Sequence, residues 1–136
     1  MDNGGRTRFQ QFTWAVLRIV VGLAYMTHGL PKLFGLLGGF GGAGEAAPLI
    51  SKFGVAGTLE TFGGLLIVLG LFTRPVAFLL AGEMAVAYFW IHLGGGAWWW
   101  ENGGELAMLY SFIFLMFSAW GAGSVSIDAR LVARRK

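Results

Sequence analysis

Residues 12–34 read FTWAVLRIVVGLAYMTHGLPKLF, a long apolar run interrupted by Arg18 and closed by Lys32. A hydrocarbon core about 30 Å thick is crossed by roughly 20 mostly apolar residues in helical conformation, and this run satisfies that length. Working outward, three more runs have the same character, at about 55–72, 75–93 and 103–121. Breakers separate them: Pro31 and the glycine-rich stretch 35–44, then Thr73-Arg74-Pro75, then Gly94-Gly95-Gly96, then Gly121 and Gly123. Pro75 suits a first helical turn, where its missing N–H is not needed. No sustained two-residue alternation supports a β-barrel. The expected fold is all-α: an integral membrane four-helix bundle forming one domain over 1–136.

Composition agrees. Of 136 residues, 12% are charged and 56% hydrophobic, where a soluble chain averages roughly 25% charged. The 23 glycines follow no triplet period, which excludes collagen. With no cysteine, the chain has no disulfide, thiolate metal site, Cys-ligated cluster or dithiol relay of its own. The net charge of +3 is a topology signal and not a nucleic-acid patch. Arg6, Arg8, Arg74, Arg130, Arg134, Arg135 and Lys136 fall on one side of the four runs, and Lys32 and Lys52 on the other. By the positive-inside rule both termini are cytoplasmic. Trp98, Trp99 and Trp100 follow the third run, where an interfacial aromatic belt is expected. The first run exceeds a signal peptide's apolar region and precedes no small-residue cleavage site, so it is read as a retained span.

Charged groups at membrane depth cost about 2.5–3.5 kcal/mol each on insertion scales, so each needs a partner or a task. Arg18 and Glu83 share a layer, carry opposite charge, and read as an ion pair joining spans one and three. At about 100° per residue, Arg18, Gly22, Tyr25, Gly29 and Lys32 share one stripe of the first span, expected to face the interior. In the second span Gly57, Glu60, Thr61, Gly64 and Val68 follow helical spacing and form a small-residue face with Glu60 in its seam. Tyr25 and Lys32 are the partners this spacing offers Glu60. His28 and His92 lie at similar depth, but His92 falls nearly opposite Glu83 on its helix, which argues against a bis-histidine haem. No ligand-spacing motif supports a metal. Glu105 opens the fourth span, where a carboxylate suits the helix dipole and Asn102 is placed to cap. The candidate intramembrane polar site therefore comprises Arg18, Tyr25, His28, Lys32, Glu60, Glu83 and Glu105.

Several of these residues, in order, resemble the DoxX family of small four-span bacterial membrane proteins. The resemblance rests on Arg18 and Gly22, on His28-Gly29 with Lys32-Leu33-Phe34, and on Glu60 with Gly63-Gly64. It continues through Leu69-Gly70-Leu71-Phe72-Thr73-Arg74, Asn102-Gly103-Gly104-Glu105-Leu106, Tyr110 and Ser126-Ile127-Asp128. The resemblance implies a multi-pass protein of the bacterial cytoplasmic (inner) membrane. It also implies membership of membrane oxidoreductase assemblies, acting on sulfur or thiol compounds and linked to quinone. Partners are then the bilayer and other membrane or peripheral subunits, or further copies of the chain. Quinone is the candidate cofactor, with neither haem nor metal expected. If the chain is enzymatic, it is a quinone-linked oxidoreductase subunit, in which Glu60, His28, Tyr25, Lys32 and Glu105 would supply the head site. The competing reading is a structural subunit packed beside a larger complex, since every polar group also has a packing role.

Overall fold

The computed structural model describes residues 7–42 and 44–134; Arg6, Arg135 and Lys136 of the charge count lie outside the described residues. The described elements are helical. Helix α1 spans Arg8–Phe34, α2 Lys52–Leu69 and α3 Thr73–Gly95; all three are long and apolar enough to cross a membrane. They are followed by a single turn, α4 (Trp99–Asn102), then α5 (Glu105–Trp120) and a terminal α6 (Ile127–Ala133). Helix α5 is apolar but shorter, at 16 residues, or about 24 Å at 1.5 Å per residue.

Local chemistry sets the ends. Thr7 and Gln10 form a reciprocal capping box at the start of α1, satisfying two otherwise orphaned donors. The first span ends at Phe34 as expected, with Pro31 inside α1 and the stop made by Gly35, whose φ of 68° is left-handed. Ser51 caps α2 by accepting from the Gly54 N–H, so this helix starts three residues before the expected boundary. It ends earlier too. Gly70 turns left-handed, and the Leu71 and Gly70 N–H groups return to the Leu66 and Ile67 carbonyls in a Schellman pattern. Asn102 does not cap α5 in the usual way: its Oδ1 accepts from the Gly104 N–H, ahead of the helix.

The chain divides into two compact units. The first holds 7–73 and 122–134, hence α1, α2 and α6. Its centre is the α1–α2 seam, where backbones approach closely. A Cβ on Gly22 would meet the Gly64 carbonyl at 2.9 Å, and one on Gly29 would meet the Thr61 nitrogen at 2.6 Å. The two small-residue stripes read from the sequence are therefore the faces that pack. The second unit runs from Arg74 to Gly121 and contains most of α3 with α4 and α5. Here the Ser111 hydroxyl of α5 donates to the Ala81 carbonyl of α3. The connection after α3 is organised by Asn102, whose amide donates to the Gly96 carbonyl while its own carbonyl meets His92 Nδ1.

Candidate functional site

Helix α2 is not α-helical throughout. Leu59–Gly63 forms a π-helical turn, a local widening that often marks functional positions. Glu60, Thr61 and Gly63 of this turn are buried. Glu60 enters the seam against Gly29 of α1, where only hydrogen occupies the space a Cβ would need.

One turn further along α1, Lys32 reaches Glu60. Its Nζ lies 2.6 and 2.7 Å from the two carboxylate oxygens, a bidentate, charge-assisted contact. The pair is asymmetric: the Glu60 side chain is 3% exposed, that of Lys32 22%. The Lys32 side chain is thus the partner that is partly exposed. Lys32 is fixed from behind as well, because its carbonyl accepts from Ala47 N–H and its Cβ abuts Gly57. Beside the pair, Thr61 Oγ1 is buried with no hydrogen-bond partner among the described residues.

Arg18 behaves differently. It is 1% exposed, and the carbonyls of Ile67, Val68, Ala122 and Val125 accept from its guanidinium. Ile67 and Val68 end α2, where carbonyls lack intrahelical donors and a cation complements the dipole. Gly70 makes room: a Cβ there would come within 3.0 Å of the guanidinium carbon. Close by, Asp128 of α6 accepts from the N–H groups of Phe72 and Thr73, while its own N–H donates to the Gly70 carbonyl. Arg18 and Asp128 together fasten the turn between α2 and α3.

The remaining candidates are distributed. Tyr25 is fully buried on the α1 stripe, whereas His28 is exposed. Glu83 is half-buried in the second unit, and Glu105 is exposed at the first turn of α5. Within the first unit, Lys32 and Glu60 of the candidate set form a side-chain ion pair. Among the described residues no group of three or more His, Asp or Glu side chains is disposed to hold a metal. Sequence reasoning missed two features. Asp128 figured only in the family resemblance, although an acid just after a Ser cap signals a helix start. The π turn has no residue signature.

An all-α chain with three helices long enough to cross the bilayer is a multi-pass membrane protein. Comparison gives the family: the DoxX profile matches residues 13–93, and the chain belongs to the DoxX family. It is 42% identical over 128 residues to an uncharacterized protein of Haemophilus influenzae, covering 89% of this chain and 92% of that one. It is 28% identical over 128 residues to the inner membrane protein YphA of Escherichia coli, covering 85% and 87% respectively. No solved structure matches it significantly. Family and helices together make it a multi-pass protein of the bacterial inner membrane, with a redox-associated role at the level of the family.

Proposed function

We propose that the chain is the membrane subunit of a quinone-linked oxidoreductase acting on thiol or sulfur compounds, with its quinone-head site at Lys32–Glu60. The observation that carries this reading is the bidentate pair itself, in which the Glu60 side chain is enclosed while that of Lys32 is partly exposed. The residues suit the group. A quinone head presents carbonyl acceptors beside an apolar ring, and Lys32 offers donor hydrogens at an apolar seam, with the spare Thr61 hydroxyl next to the pair. When bound, the quinone would supply two-electron, two-proton redox chemistry, its electrons exchanged with a centre on a partner subunit. Lys32 would donate a hydrogen bond to the head. Glu60 would hold Lys32 in place and exchange protons with it, a role suited to a carboxylate at depth. Tyr25 and His28 share α1 with Lys32 and would flank the head; Arg18, Glu83 and Glu105 complete the proposed intramembrane set.

In this arrangement the four apolar helices form one bundle, a single domain over 1–136 with both termini cytoplasmic. Its partners are other membrane or peripheral subunits, or further copies of the chain. The structural-subunit alternative is favoured by Arg18, whose described hydrogen bonds all go to backbone and serve folding alone. Purification in mild detergent from the native membrane, with mass spectrometry of co-purifying proteins and lipophilic cofactors, separates the two. A quinone retained by the wild type and reduced several-fold in Glu60→Gln is the expected result. Absence of quinone from both, with partner subunits retained, would leave the structural role.

A further inference from the structure

The second unit carries a different site. A cleft of about 370 Å³ opens beside α4 and the first turns of α5, lined by Trp99, Trp100, Gly103, Glu105, Leu106 and Leu109. Its aromatic walls are ordered by ring packing. Trp99 and Trp100 meet edge to face at 84° with centroids 5.0 Å apart, forming a corner. Trp98 stacks on Trp100 at 7° and 5.0 Å, which fixes that indole from one side. Gly103, at φ 70°, lets the chain reverse tightly enough for α5 to begin beside the rings.

The acid in the cleft has no side-chain counter-ion. Glu105 makes no side-chain hydrogen bond or ion pair among the described residues, and residues 75–121 contain neither Lys nor Arg. A carboxylate in a cleft lined by two indoles is the chemistry that recognises an ammonium group, by Coulomb attraction and cation–π contact together. Below the acid the lining becomes apolar, with Leu106 and Leu109 on the same side of α5. The cleft also lies where the chain leaves one membrane-spanning helix and enters the next apolar one, the level at which tryptophans meet lipid headgroups. A small soluble cation would make no use of the leucines, whereas an amphiphile would.

We propose that this cleft binds the ammonium headgroup of an aminophospholipid, with Glu105 as counter-ion, Trp99 and Trp100 as aromatic walls, and Leu106 and Leu109 against the upper acyl chain. The site is independent of the Lys32–Glu60 reading. The test uses the full chain in detergent, titrated with lysophosphatidylethanolamine and with its N-acetylated analogue, which keeps the tail and phosphate but removes the ammonium. Native mass spectrometry reads occupancy. The free amine should bind about tenfold or more tightly than the capped lipid. Glu105→Gln and Trp99→Leu should each bring that ratio close to one, and Glu101→Gln should leave it unchanged. Far-UV circular dichroism identifies variants that fold; Glu105→Gln, an exposed isosteric change, carries the test if Trp99→Leu does not fold. A wild-type ratio near one overturns the proposal, as does a ratio that survives Glu105→Gln with reduced helicity, the sign of a purely dipolar role for the acid. Free ethanolamine displacing the lipid at equal concentration overturns the lipid assignment.

Discussion

Arg18 and Lys32 stand on the same face of α1, roughly 21 Å apart along the axis at about 1.5 Å per residue, and their charges are handled in opposite ways. Arg18 is enclosed and bound by backbone carbonyls at the end of α2 and in the 122–125 loop. Lys32 is partly open and bound by one carboxylate. Carbonyls cannot be exchanged or titrated, so the Arg18 end is a fastening. A side-chain acid can accept a proton, and the Lys32 side chain is partly exposed, so the Lys32 end is the one the proposed reading assigns to chemistry. Burial of charge alone therefore does not distinguish the two ends; what receives the charge does.

The largest effect should come from breaking the fastening. Arg18→Met removes the guanidinium from four carbonyls, of which Ile67 keeps the Gly70 N–H; at about 1–3 kcal/mol for each of the other three left unsatisfied it should cost about 4 kcal/mol or more. Arg18→Lys should rescue only partly, because one ammonium cannot reproduce the guanidinium fork. Thermal unfolding in detergent, followed by circular dichroism, measures both. At the other end the outcome depends on which partner is removed. Lys32→Met strands an enclosed carboxylate and should cost about 3 kcal/mol, whereas Glu60→Gln leaves a lysine whose side chain is partly exposed and should cost about 1 kcal/mol. The double change Lys32→Met with Glu60→Leu should recover most of the loss, since an apolar pair often replaces a buried ion pair without penalty. Equal losses in both single variants would remove the asymmetry on which the comparison rests.

Smaller effects test the seam between the two ends. Gly29→Ala would drive a methyl into the Thr61 backbone and should cost about 1–3 kcal/mol. Gly82→Ala, with nothing within 4 Å of its added carbon, should be neutral or stabilise by up to about 1 kcal/mol. The same melting experiment distinguishes them.

Much of this was legible in residue order. Apolar length gave the helices, and helical spacing gave the packed faces of α1 and α2, because glycines at Gly22, Gly29, Gly57 and Gly64 mark close approach whatever their partner. Lys32 was one of two partners the spacing offered Glu60, and it forms the bidentate pair. The ends of α2 were misplaced by three residues at each side, since the Ser51 cap and the Gly70 reversal are local backbone events that an apolar window blurs. Of the breakers after the first span, Gly35 stops α1 and Pro31 does not, since a proline removes one helical hydrogen bond without obliging the chain to stop. Arg18's acceptors were invisible for a deeper reason. Every residue carries a carbonyl, so a backbone partner leaves no trace in side-chain chemistry.

The decisive measurement is quinone content of the Lys32→Met, Glu60→Leu double variant, purified in parallel with the wild type and with melting curves recorded on both. Near-normal melting with loss of the bound quinone is the predicted result, showing an acid–base pair dispensable for folding and required for the ligand. Near-normal melting with quinone retained at the wild-type level would contradict it.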